Sequence, residues 1–206
     1  MSLFGDDPDR EQFFEVARQE AQRQYEADNS NVKALVQWGG ALLELAHYKQ
    51  GDESAETIKE AIAKLQKAIS LDSDRTDAYW CLGNAHTSLG FLCPNKAEAN
   101  QSFKEATKAF KHCYEKEPSN ETYKKALEMT AKAPEYYDEI QTHIAQSGGG
   151  DASGGSGPKK GSVSTSVPEW VWDVGGWVLL AAAVTGALLI AKASAPKVAA
   201  AATGSS

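Results

Sequence analysis

Histidine and cysteine are the residues of this sequence most able to bind a metal or catalyse a reaction. The four histidines lie far apart, with no helical HExxH pair: His47, His86, His112 and His143. The three cysteines form no CxxC pair, and their odd number suits reduced thiols with packing roles: Cys81, Cys93 and Cys113. A GxSxG elbow and a glycine-rich phosphate loop are also missing. We therefore expect no enzymatic activity, no metal site and no cofactor.

Residues suited to binding a peptide occur in two similar helical stretches of the sequence. Seven positions of these stretches are predicted to line one inner surface and to bind a peptide: Val36, Gly40, Leu43, Glu44, Trp80, Asn84 and Thr87. An apolar floor edged by acids, with Gly40 giving access to the backbone, suits a basic amphipathic helix. Trp80 is the strongest candidate, because Tyr79 already fills the packing position and the next residue is expected to point elsewhere.

The two stretches belong to a repeat of paired helices. The first helices carry a large residue, a Leu-Gly type step and another bulky residue: Leu35, Trp38, Gly39 and Leu42, then Tyr79, Leu82, Gly83 and His86. The second helices carry alternating small and large residues: Ala61, Leu65 and Ala68, then Ala106, Phe110, Cys113 and Pro118. This is the tetratricopeptide pattern, elongated, since Leu35 and Tyr79 are 44 residues apart rather than about 34.

A known ligand of such repeats can be tested on the sequence. Many tetratricopeptide domains bind the acidic C-termini of chaperones through a clamp of lysine and asparagine side chains. The clamp positions here are Val36, Gly40, Trp80 and Asn84, and only Asn84 fits. Without the lysines a bound carboxylate would be desolvated with no partner. We therefore do not expect a co-chaperone.

Hydrophobic spacing predicts seven helices and no alternating strand. Their approximate bounds are 9–27, 32–49, 55–71, 76–92, 97–116, 121–132 and 134–146. Pro134 separates the last two, because proline lacks the N–H and clashes with the preceding turn. The fold class is all-α, with two elongated tetratricopeptide-like units, flanking helices and one C-terminal transmembrane helix.

An uncharged run near the C-terminus predicts that transmembrane helix. Val174 to Ala191 is 18 residues long, and at 1.5 Å per residue it would span roughly 27 Å. Its predicted transmembrane residues include Val174, Trp177, Leu180, Val184, Leu188 and Ile190. Tryptophans 170, 172 and 177 cluster at one end, as at membrane interfaces. A buried core helix and a lipid-anchor signal are the weaker alternatives.

Composition then divides the chain into four predicted parts. Residues 1–146 form a cytosolic helical domain, 147–167 a Gly/Ser-rich linker, 168–191 the interfacial segment and tail anchor, and 192–206 a short tail. The acidic opening MSLFGDDPDREQ is not expected to act as a secretory leader or a transit peptide. Residues 1–147 hold 25 acids and 17 bases, a charge of −8, which gives nucleic acid no electrostatic footprint.

The chain resembles a known family in this arrangement and in the stretches DREQFFE (9–15) and TDAYWCLGNAHTSLGFL (76–92). It is similar to the plant-type twenty-kilodalton import receptor of the mitochondrial outer-membrane translocase, the TOM complex. The resemblance implies a single-pass protein of that membrane with its N-terminal domain in the cytosol. It also implies binding of presequences, which are Arg-rich amphipathic helices, and their transfer to the channel and other subunits of the complex.

Two alternatives remain open on the sequence. One is a tail-anchored adaptor, like the mitochondrial fission adaptor, that recruits a folded cytosolic partner. The other is residence in the chloroplast envelope or the endoplasmic reticulum, because hydrophobicity alone separates these membranes poorly. The modest anchor and its flanking lysines, Lys192 and Lys197, favour mitochondria.

Overall fold

The described part of the protein is a stack of six α-helices. The computed structural model describes residues 8–148, with side chains from 9 to 142, and this range contains no strand. The helices are α1 Pro8–Ala27, α2 Val32–Ala46, α3 Gly51–Leu71, α4 Thr76–Leu92, α5 Lys96–Lys116 and α6 Glu121–Gly148. The all-α class predicted from the sequence is confirmed.

Successive helices pack against each other, and α2–α3 and α4–α5 are the two predicted pairs. α4 also contacts α2 and α6, so that α2, α4 and α6 form an inner layer. The first helices of the pairs have 15 and 17 residues, whereas the second helices, α3 and α5, have 21 each. The extra length of the repeat therefore lies mainly in the second helices.

The turn between α2 and α3 differs from the prediction at both ends. α2 ends at Ala46 rather than near residue 49, and the N–H of Lys49 donates to the carbonyl of Ala46 in a tightened last turn. α3 begins four residues earlier than predicted, at Gly51, whose φ of 55° favours glycine. The buried hydroxyl of Ser54 also donates to the carbonyl of Ala46, at 2.8 Å.

Glycines of the inner helices allow the paired helices to approach closely. A Cβ on Gly39 would lie 2.7 Å from Cγ of Leu65, and one on Gly83 would lie 2.5 Å from Cε1 of Phe110. Both glycines belong to the Leu-Gly type step of the repeat, and Leu65 and Phe110 are the large residues of the following helices. The space left by each glycine is thus filled by a side chain from its partner helix.

Pro134 does not end a helix, and the prediction of separate sixth and seventh helices is wrong. α6 continues through it to Gly148. Contacts with the α4–α5 turn and with α5 hold α6 beyond the proline. Tyr137 is buried and donates its hydroxyl to the carbonyl of Cys93 at 2.9 Å, and Lys96 forms an ion pair with Asp138 at 2.8 Å. This packing offsets the hydrogen bond that proline removes.

The cysteines behave largely as predicted. Cys81 and Cys113 are buried and free, and burial raises the pKa of each thiol to about 12. Such thiols remain protonated and act as small apolar side chains. Cys93 is half-buried in the turn between α4 and α5.

No helix within residues 8–148 combines the length and apolarity needed to cross a membrane. The predicted span, Val174 to Ala191, lies outside the described residues. So do the predicted tail and nearly all of the predicted linker, whose first two residues, 147 and 148, belong to α6.

Gly83→Ala tests the close approach of α4 and α5. Alanine normally stabilises a helix interior by about 1 kcal/mol relative to glycine, but here its Cβ overlaps the buried ring of Phe110. We expect a net loss of about 1–2 kcal/mol in the free energy of unfolding, measured by urea denaturation followed by circular dichroism. Phe110→Leu should reduce this cost, so the double variant should be more stable than the sum of the single effects. Unchanged stability of Gly83→Ala would contradict the packing.

Candidate peptide-binding surface

The seven residues predicted to bind a peptide lie on α2 and α4, but only some are accessible. Four are closed to solvent: Val36, Gly40, Glu44 and Trp80. Three are half-buried: Leu43, Asn84 and Thr87. The inner layer therefore offers a shallower surface than the predicted groove.

Trp80 is a core residue, and the prediction that it points away from helix packing is wrong. It is 5% exposed, and its ring centroid lies 5.2 Å from that of Phe110 in α5 and 5.3 Å from that of Tyr123 in α6. Tyr79 packs as well, stacked on His112 at 3.7 Å. The side chains of neighbouring helix positions point about 100° apart. Those of Tyr79 and Trp80 nevertheless both contact another helix, because α4 packs against α5 as well as α6.

Val36 and Gly40 are enclosed for a related reason. Val36 belongs to the same core cluster as Trp80 and Cys81. This cluster joins α2 to α4, so the face of α2 that carries Val36 serves helix packing. Gly40 is also buried, one turn further along the same face. The prediction that these two residues lie open to a ligand is wrong.

Glu44 is not the exposed acid at the edge of the groove that the sequence predicted. It is 5% exposed, and its Oε2 lies 3.6 Å from a guanidinium nitrogen of Arg10 in α1. Burial raises the pKa of Glu44 from its ordinary value of 4.5 to about 7, and the positive charge of Arg10 opposes part of this rise. Near neutral pH the carboxyl is therefore only partly ionised.

Half-buried apolar residues occur on both outer helices of the inner layer, α2 and α6. Leu43 on α2 and Tyr123 and Leu127 on α6 are half-buried and pack against the same core cluster. Between them on α4 lie Asn84 and Thr87, and the Thr87 hydroxyl already donates to the carbonyl of Gly83 at 2.8 Å. The sequence analysis missed Tyr123 and Leu127 because it treated the last helices as flanking elements outside the two repeat units. Their i, i+4 spacing was the available signal.

A second concave region lies between α1, α2 and α3. This cavity of about 390 Å³ is lined by Leu42 and Leu45 of α2 together with charged side chains from α1, from α3 and from the turn between α2 and α3. The two basic residues at this cavity form ion pairs with neighbouring carboxylates. Arg18 donates to both carboxylate oxygens of Glu15 at 2.8 and 2.6 Å, and Lys49 pairs with Glu53 at 3.1 Å. The bond from Arg18 lowers the pKa of Glu15 to about 2. Paired charges of both signs give this cavity no clear preference for a charged ligand.

Residues 8–148 hold no cluster of histidine, cysteine and carboxylate side chains that could bind a metal. His86 is half-buried, as expected for a histidine at a packing position, and burial lowers its pKa.

Comparison with known proteins decides the family. A sequence model of the family described as "Plant specific mitochondrial import receptor subunit TOM20" matches residues 8–192. The chain belongs to this family. It is 35% identical over 190 residues to mitochondrial import receptor subunit TOM20-3 of Arabidopsis thaliana, covering 91% of this chain and 94% of that one. It is 36% identical to subunit TOM20-4 over 89% of this chain and 91% of that one, and 34% identical to TOM20-1 over 89% and 98%, both from the same plant.

Membership of the plant-specific TOM20 family confirms the predicted receptor class. It also confirms that the protein is not an enzyme, since the family consists of import receptor subunits. The adaptor alternative, which rested on helical repeats and a tail anchor alone, is correspondingly disfavoured.

Glu44→Gln tests the buried carboxyl of this TOM20-family chain. Because the pKa of Glu44 is higher in the folded state, its contribution to stability is complete below about pH 4.5 and is lost as the pH rises through about 7. Relative to Glu44→Gln, the wild type should lose up to about 3 kcal/mol between pH 4.5 and 8. Urea unfolding of both proteins at several pH values measures this difference. The other titrating groups are the same in both proteins, so their contributions to the free energy of unfolding cancel. A pH-independent difference would show that Glu44 titrates normally.

Proposed function

We propose that this import receptor binds the amphipathic presequences of precursor proteins on the inner layer of α2, α4 and α6. The observation that carries the proposal is the set of half-buried apolar side chains Leu43, Tyr123 and Leu127 on an acidic domain. The apolar face of a presequence helix would contact these side chains. Asn84 and Thr87 would face the backbone or polar side chains of the ligand.

Charge supports the same ligand class. Residues 1–147 carry 25 acids and 17 bases, and presequences are rich in arginine and poor in acids. Opposite charge speeds the encounter and leaves affinity mainly to the apolar contact. The apolar surface is shallow, so binding should be weak, with a dissociation constant in the micromolar range, or roughly −8 kcal/mol. Weak binding suits a receptor that passes its cargo to the translocase channel.

The membrane topology is part of the proposal. The apolar run Val174 to Ala191 follows a Gly/Ser-rich linker, and the family match extends across it to residue 192. A coil of about 20 residues spans roughly 25 Å root-mean-square, so the linker would keep the helical domain near the membrane. We infer a single span in the mitochondrial outer membrane, the helical domain in the cytosol, and contact with other TOM subunits. The names of the Arabidopsis relatives support the organelle.

A leucine substitution tests the binding surface. Leu43→Ser in the full-length chain, held in lipid nanodiscs, should weaken binding of a labelled presequence peptide about three- to tenfold, because apolar contact is lost. Fluorescence anisotropy measures the dissociation constant. Leu71→Ser is the matched control, since Leu71 is exposed at the end of α3, outside the inner layer. Equal effects of the two changes would refute the proposed surface. Trp80→Ala is a poor probe, because removing a core tryptophan costs about 3–5 kcal/mol of stability.

Protease protection tests the topology. Protease added outside intact mitochondria should remove residues 1–146 and leave a small membrane-embedded C-terminal fragment. A fluorescent protein fused to residues 147–206 should locate to the mitochondrial outer membrane. The same fusion with two leucines of the span, Leu180 and Leu188, changed to arginine should remain outside membranes, because each arginine at mid-span is costly to insert. Protection of the helical domain from protease would contradict the orientation.

A further inference from the structure

The ion pair between Arg10 and Glu44 joins the start of α1 to the inner layer. The Arg10 side chain is about half exposed, and that of Glu44 is 6% exposed. The guanidinium also lies 5.7 Å from the centre of the Phe14 ring, one turn along α1, and Phe14 is buried. The buried carboxyl therefore has its partner on a side chain that solvent reaches.

Arg10 and Phe14 together have the chemistry of the proposed ligand. An arginine followed one turn later by an apolar residue is what a basic amphipathic helix presents along the edge of its apolar face. Glu44 lies one helical turn beyond Gly40, on the side of α2 that belongs to the inner layer, and it directly follows Leu43, an accessible apolar residue of that layer. An arginine of a helix bound over Leu43 would therefore be placed near the carboxyl that Arg10 holds.

We propose that Glu44 is the arginine-selecting subsite of the presequence surface, and that Arg10 is a built-in occupant which a bound presequence displaces. This inference rests on the proposed function. The loose 3.6 Å separation and the exposure of Arg10 make the exchange feasible without unfolding α1, whose Phe14 and Ala21 remain buried against the stack.

Exchange of one arginine for another has two consequences for binding. The pair with Arg10 stabilises the unliganded state, so it lowers affinity for every ligand that must displace it. A ligand without an arginine at this place has two ways to bind. It displaces Arg10 and leaves the buried carboxyl of Glu44 without a partner, or it leaves Arg10 in place and clashes with it. In both cases its affinity is lower than that of a ligand whose arginine replaces Arg10. The contact thus lowers affinity and raises selectivity for basic helices.

Arg10→Gln is the direct test, in full-length chain held in nanodiscs. It should tighten binding of an arginine-bearing presequence peptide about three- to fivefold, the size that a half-exposed ion pair can contribute. Arg23→Gln is the matched control: Arg23 also lies on α1, pairs with Glu20 on the surface, and its loss changes the net charge equally. Equal dissociation constants for the two variants would overturn the inference while leaving the receptor role intact.

A double variant assigns the effect to Glu44. In a Glu44→Gln background, Arg10→Gln should change the dissociation constant no more than Arg23→Gln does, because the exchange has lost its acceptor. Glu44→Gln should also reduce the preference for the arginine peptide over one with glutamine in place of arginine. A full Arg10→Gln effect in that background would overturn the inference. Failure of both the wild type and Arg10→Gln to bind any presequence peptide would overturn the receptor role and the inference together.

Discussion

Gly39 and Gly83 each leave a space on an inner helix that a large side chain of the partner helix fills, and this close approach governs the arrangement of the rest. Leu65 and Phe110 enter those spaces, and a methyl group at either glycine would overlap them. Each pair of helices is thereby fixed at short distance, which leaves α2 and α4 side by side in one layer. Gly90 repeats the arrangement near the end of α4, against Phe103. With α4 held in this way against α5, Trp80 is enclosed between Phe110 of α5 and Tyr123 of α6.

That constraint explains which features the sequence could predict. The glycines and the large residues that meet them recur at fixed spacing, so the helix pairs and the all-α class follow from the pattern. Trp80 could not be placed from spacing alone, because its environment depends on α6, a helix more than forty residues away in sequence. Pro134 was misjudged for a similar reason. Local chemistry favours a break at that residue, and contacts of Tyr137 and Asp138 with residues 93 and 96 override it.

The surface that remains after packing is modest, and this bears on function. A deep groove with an open tryptophan would bind an apolar helix tightly, whereas half-buried side chains such as Leu43 and Leu127 expose only part of their area. Less apolar area removed from water means less affinity. For an import receptor whose cargo must move on, a shallow surface keeps dissociation fast. The burial of Trp80 therefore supports the weak, reversible binding that we propose.

Glu44 shows how charge acts at two ranges in the same domain. In the proposed binding, the excess of acids over bases would attract a basic helix from a distance, and salt would screen this attraction. At contact the relevant carboxyl is buried, has a pKa near neutrality and is already paired with Arg10. Long-range attraction by itself would retain any cationic peptide. A buried carboxyl that must be reached by exchange adds a geometric requirement, because an arginine satisfies it only when its helix also lies over the apolar residues nearby. Selection for arginine-bearing helices thus depends on the ion pair that Arg10 and Glu44 form in the unliganded protein. This ion pair exists because α1 lies beside α2.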